Sequence, residues 1–144
     1  MTEEQTDPAH VGRKLQRHRQ AVRPMSNSVE EIVRASFDCY LTSDRSRMES
    51  LLAADFSFTS PYDDHIDRLA YFDRCWPAAG TFETLDLLLV DVCEEHCFVL
   101  YDATWKNGKT ARNTELFTIS HGQIQSVEVF FGLPPGGPVS GPPA

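Results

Sequence analysis

The chain has 144 residues, room for one domain, and its 41% apolar and 10% aromatic content is that of a protein that buries a core. Its net charge of −8 excludes a nucleic-acid surface, because neutralising phosphates takes clustered Lys and Arg. No apolar run approaches the ~18 residues that cross a bilayer, and the Met-Thr-Glu-Glu opening has no apolar signal segment.

A cytoplasmic location is therefore expected, with Cys39, Cys75, Cys93 and Cys97 as free thiols in a reducing compartment. Residues 1–25 set Arg13, Lys14, Arg17, Arg19 and Arg23 against Glu3, Glu4 and Asp7 and have only a thin apolar face. They read as a flexible basic arm before a core domain over residues 26–132.

The core opens on a helix. Ser28 followed by Glu31 is a capping box, and Val29, Ile32, Val33, Ser36, Phe37 and Tyr40 recur at helical spacing. After a break at residues 41–44, Asp44 caps a short second helix with Met48, Leu51 and Leu52 inward. Phe56–Ser60 alternates like a strand and stops at Pro61. Either Asp64 or Asp67 caps a third helix that carries Ile66, Leu69, Ala70, Phe72 and Trp76 and ends at Pro77.

Beyond Gly80 the pattern is an antiparallel meander. Strands are expected at 81–92, 96–105, 109–120 and 123–132, with the hairpin dipeptide Asn107-Gly108 between the second and third. Residues 133–144 are Pro- and Gly-rich and read as a disordered tail. Helices segregated from a meander make the chain α+β.

The order of elements, the run Leu51-Leu-Ala-Ala-Asp-Phe-Ser-Phe-Thr-Ser-Pro61 and the paired closing strands of residues 112–132 resemble the nuclear transport factor two-like, or SnoaL-like, superfamily. The resemblance implies a cone-shaped α+β barrel, with N-terminal helices packed on a strongly curved antiparallel sheet around a pocket. It also implies a homodimer. Members include ketosteroid isomerase, scytalone dehydratase and polyketide cyclases, and others only bind or dimerise. Where ketosteroid isomerase carries its base this chain has Ser60, and near its phenol donor lie Ser36, Phe37 and Tyr40. Where it has a neutral carboxylic acid stands Glu115. One position of three keeps its chemistry, so steroid isomerisation by that arrangement is not expected.

The chain offers instead Tyr62-Asp-Asp-His-Ile-Asp-Arg68 just after the first strand. One reading is a general base, Asp63 or Asp64, oriented by His65 or Arg68. The other is a helix start with Asp64 as cap and Asp67 in the first turn, which leaves Asp63 unexplained. On the strand 109–120, alternation puts Ala111, Asn113, Glu115, Phe117 and Ile119 on one face. Facing the cone, Glu115 would be desolvated and able to donate a proton. Arg112, on the other face, is expected to pair with Glu128.

Tyr40, Phe58, Trp76, Tyr101, Phe117, Val129 and Phe131 are expected to line the pocket and suit it to a small apolar molecule. Cys93-x-x-His96-Cys97 straddles a strand turn, so no metal site is expected, and no cofactor motif is present. The leading reading is a cofactor-free isomerase, cyclase or (de)hydratase working by acid–base chemistry. The alternative is a ligand-binding or dimerisation module of the same fold. A homodimer is expected through the outer sheet face, which carries Glu128 and Phe130.

Overall fold

A computed structural model describes residues 28–137. The arm expected at 1–25 and the end of the tail from residue 138 lie outside the described residues. Helix α1 (Val29–Thr42) begins where the Ser28 hydroxyl accepts from the Glu31 N–H at 3.2 Å. One stripe of it is buried: Ile32, Val33, Ser36, Phe37 and Cys39. It ends at Ser43 in left-handed backbone, φ 55°. Gly80 packs against Ser43 at φ +79°, and its N–H donates to the Tyr40 carbonyl at 2.7 Å. That close approach ties the end of α1 to the start of the meander. Helix α2 (Arg45–Leu51) is capped by Asp44, which accepts from the Arg47 N–H at 3.1 Å, and buries Met48.

Strand β1 (Leu52–Ser60) follows α2 directly and is longer than its alternating core suggests. The next segment departs from expectation. Asp63–Asp67 is not the start of a helix but strand β2, antiparallel to β1 with Phe58 opposite Ile66 and Ser60 opposite Asp63. Pairing with β1 satisfies backbone groups that a lone helical turn would leave open, and it overrides the local helical spacing. Of the two cap candidates Asp67 takes the role, and its Oδ1 accepts from the Ala70 N–H at 2.9 Å. Helix α3 (Arg68–Arg74) therefore starts later than an Asp64 cap requires. The shift rotates Tyr71 and Phe72 into the core and leaves Leu69 79% exposed. A 3₁₀ turn over Trp76–Ala78 ends the segment.

Strands β3 (Phe82–Cys93), β4 (His96–Trp105), β5 (Thr110–Ser120) and β6 (Gln123–Phe130) form the meander. The sheet order is β2-β1-β6-β5-β4-β3. The expected all-antiparallel sheet needs one correction, because β1 and β6 run parallel. A parallel partner requires a crossover rather than a hairpin, and the chain from β2 through β5 supplies it. The sheet stays open, with β2 and β3 as edges. Register shifts at Leu87/Leu89 in β3 and at Thr118/Ile119 opposite β6 mark bulges, which bend a sheet.

Helix α1 lies in the resulting hollow, where Phe37 meets the Tyr101 ring edge-on at 4.9 Å. Cys97, Val99, Tyr101 and Ala103 of β4, Phe117 and Ile119 of β5 and Ile124, Val127 and Val129 of β6 are the sheet's share of the core. Among the described residues no helix is long and apolar enough to cross a membrane, and the four cysteines are free.

Candidate functional site

Where α1 and the sheet diverge they leave a cavity of about 360 Å³, lined mostly by apolar and aromatic side chains. Glu115 sits in its wall on the concave face of β5, flanked in register by Val99 of β4 and Val129 of β6. Tyr101 donates its O–H to Glu115 Oε1 at 2.8 Å. Asn113 Nδ2 donates to the Tyr101 oxygen at 3.4 Å, and Asn113 Oδ1 accepts from the Gly132 N–H at 2.9 Å. Burial raises the Glu115 carboxyl and the Tyr101 hydrogen bond opposes it, and the net effect leaves it pushed up to about 7. Tyr101 itself is held as a phenol, raised first by burial and then by the neighbouring carboxyl.

A second polar pair faces the same space. The hydroxyls of Tyr40 and Tyr71 are 2.5 Å apart, and burial raises both phenols. Only one of them can donate to the other. One phenolic proton of the pair is therefore left without a hydrogen-bond acceptor among the described residues.

The cluster expected around Asp63, Asp64 and His65 divides. Asp63 lines the cavity with its side chain only 8% exposed. Asp64, 89% exposed, turns to solvent and pairs with His65, whose ring is 77% exposed. Alternation along β2 separates the two carboxyls, and positive φ at His65 (49°) breaks the alternation that would have returned its ring to the Asp63 side. Neither Asp64 nor His65 lines the cavity. Arg68 also leaves the group, donating to the Glu49 carbonyl at 2.7 Å and lying over the Phe72 ring. Asp63 meets Arg74 instead, with Nη2 2.6 Å from Oδ1.

Tyr40, Phe58, Tyr101, Phe117, Val129 and Phe131 line the cavity, as does Ser60, whose hydroxyl accepts from the Tyr62 N–H at 3.1 Å. Trp76 does not. The 3₁₀ turn places it behind the wall, buried against Tyr40 at 5.1 Å and Phe72 at 5.8 Å. Arg112 does not pair with Glu128. It makes a bidentate ion pair with Asp102 at 2.8 and 3.0 Å, because Asp102 is its cross-strand partner while Glu128 lies opposite Leu116. That pair lowers the Asp102 carboxyl and raises the guanidinium.

Among the polar cavity residues, Arg74 was not singled out from sequence, and Tyr71 and Asn113 were placed near the pocket without a role. Tyr71 and Arg74 share an i, i+3 face of α3. Cys75 also lines the cavity; burial, with Asp63 nearby, pushes its thiol up to about 11, so it is protonated and a poor nucleophile near neutral pH. The site thus offers a neutral carboxyl near its titration point, neutral phenols, and one carboxylate beside a guanidinium. This set can exchange protons with a bound molecule while shielding it from water.

No protein-family model matches the chain, and no curated protein matches it in sequence. Among solved structures, an NTF2-like (nuclear transport factor two-like) protein of unknown function from Cytophaga hutchinsonii is 17% identical with a TM-score of 0.62, over 76% of this chain and 94% of that one. A candidate polyketide cyclase from Sinorhizobium meliloti is 22% identical with a TM-score of 0.56, over 68% and 92%. A protein with a ketosteroid isomerase-like fold from Catenulispora acidiphila, in complex with trimethylamine, is 14% identical with a TM-score of 0.57, over 72% and 86%. Identities this low speak for architecture and not for chemistry. By that likeness the chain has the cone-shaped α+β fold of the nuclear transport factor two-like superfamily.

Proposed function

We propose that the chain is a small-molecule pocket protein that moves a proton on a largely apolar ligand, with Glu115 as the acid–base group. The observation that carries this is a carboxyl in an apolar cavity whose burial brings it to about 7, where it can both give and take a proton at neutral pH. Tyr101 occupies Oε1, which leaves Oε2 as the oxygen that would meet the ligand. The spare phenolic proton of the Tyr40–Tyr71 pair would stabilise negative charge developing on a ligand oxygen. The reaction class is isomerisation, cyclisation or (de)hydration without a cofactor. Structural neighbours described as a candidate cyclase and as ketosteroid isomerase-like share the fold alone with this chain. Of the adjacent acidic residues, Asp63 is the one that would meet the ligand, since Asp64 faces solvent.

The test begins with the small molecule that co-purifies with the protein, released by denaturation and identified by mass spectrometry. Glu115→Gln should still bind it and should lose turnover, because the proton acts in the transition state. If wild type and variant bind equally and neither turns the ligand over, the domain is a binding module.

The proposed protein partner is a second copy. Leu89, Phe98 and Phe130 are exposed on the convex sheet face, and the register sets Leu89, Leu100, Thr114 and Phe130 in one row across four strands. The free cysteines accord with a cytoplasmic home.

A further inference from the structure

We infer that Asp63, which lines the cavity together with Tyr62 and Phe131, is the docking point for the ammonium group of an amine whose apolar body fills the cavity. This rests on the pocket reading above and names the class of ligand.

Asp63 is nine-tenths buried, and its Oδ1 has no aligned hydrogen-bond donor among the described residues. A buried carboxylate oxygen in that state is costly, and a charge-assisted hydrogen bond relieves it. Its one ionic contact, Arg74 at 2.6 Å, lacks hydrogen-bond alignment. The Arg74 side chain is also 55% exposed, so it can leave the contact for water. The two partners are unequal in freedom. Asp63 is fixed on β2 by pairing opposite Ser60, whereas Arg74 ends on a long side chain that can turn into water. A primary ammonium brings three donors and a full charge to the same oxygen.

The surrounding charge favours the same class. Asp63, Glu115 and Arg74 are the acidic and basic side chains of the lining. With Arg74 turned outward, an anionic ligand would face two carboxyls and no cation. Tyr62 and Phe131 both line the cavity, with ring centroids 5.8 Å apart and much of each ring open to solvent. Aromatic faces attract cations and not anions. Arg74 then holds the place of the ammonium until the ligand arrives and competes with it. An Asp63 engaged in this way is a specificity residue, and Glu115 remains the proton carrier.

Calorimetry on the full chain with octylammonium, 1-octanol and octanoate tests this, since the three share a chain and differ in head group. Octylammonium should bind at least about tenfold more tightly than 1-octanol, and octanoate weakest. Asp63→Asn, with an unchanged thermal melt, should erase the preference for the amine and spare 1-octanol. Arg74→Gln should leave octylammonium as tight or tighter, because it removes a competitor. Equal binding of octylammonium and 1-octanol by wild type overturns the ammonium site while the pocket reading stands. Octanoate binding tightest, and weakened by Arg74→Gln, would make Arg74 an anion anchor and also overturn it. If none of the three binds, the pocket reading falls and the inference with it.

Discussion

Glu115 owes its chemistry to its neighbours rather than to its type. A carboxyl on this strand one residue earlier or later would face outward, where Arg112 makes a solvent-side ion pair. Facing inward, it is neutral in the folded protein up to about pH 7, whereas in the unfolded chain it ionises near the ordinary value of about 4.3. Between those two values the folded state holds a proton that the unfolded chain has lost, so stability falls as pH rises through that window. The contribution is intact below about pH 4.3 and gone above the folded value, and it amounts to at most about 4 kcal/mol. Glu115→Gln should remove this slope. Urea unfolding at pH 5 and pH 8 should show wild type losing stability relative to the variant, and parallel behaviour would place Glu115 in contact with bulk water. Tyr101→Phe should push the Glu115 carboxyl higher still, because the lost hydrogen bond favours the charged form. Carboxyl chemical shifts followed against pH would read the change.

The elements differ in how far their own residues specify them. α1 and the four meander strands follow from a cap, a helical stripe, strand alternation and the Asn107-Gly108 turn, all local signals, and they lie close to where the sequence places them. β2 and α3 do not, because residues 64–76 satisfy helical spacing locally while β1 recruits the first of them as an edge strand. The site was legible to the same degree. Glu115, Tyr40, Phe58, Tyr101 and Phe117 follow from strand and helix phase. The separation of Asp63 from Asp64 and His65 depends on a positive φ that no residue pattern announces. The meeting of Asp63 with Arg74 depends on how α3 packs against β1 and β2. The reassigned cap is checkable: Asp67→Ala should cost about 1 kcal/mol in thermal or urea melts, and Asp64→Ala should cost next to nothing because that side chain stands in water. The end of β6 gives a sharper case. A Cβ on Gly132 would lie 1.9 Å from the Arg112 carbonyl oxygen, a clash between backbones that no rotamer relieves. Gly132→Ala should destabilise by more than about 1 kcal/mol. It should also disturb the Glu115 titration, because the Gly132 N–H holds Asn113, and Asn113 holds Tyr101.

Among the described residues, the concave face of the sheet is occupied by α1 and the cavity, and the convex face is left bare. Leu89, Phe98 and Phe130 are 53%, 39% and 49% exposed there, joined through Leu100 and Leu116 by strand register. A contiguous apolar patch of this kind is a liability on a monomer and an asset in a two-fold pair, where the same patch serves both copies. A standard interface buries about 800 Å² per partner, an area that a face four strands wide can supply. The patch carries carboxylates unpaired among the described residues at its border, since Asp91 lies opposite Phe98 and Glu128 opposite Leu116, while Arg112 on the same face is already taken by Asp102. Bringing two such faces together sets carboxylates near one another, so added salt should tighten the pair by screening them. Sedimentation at high micromolar concentration should give twice the 16.2 kDa chain mass, with the dimer fraction rising with salt. Phe130→Asp puts a further charge in the middle of the row and should give a monomer. Phe130 faces away from the cavity, unlike its neighbour Phe131, so the variant should keep its melting behaviour and its ligand. A wild-type chain that sediments at 16.2 kDa under these conditions would mean that the convex face meets a different partner.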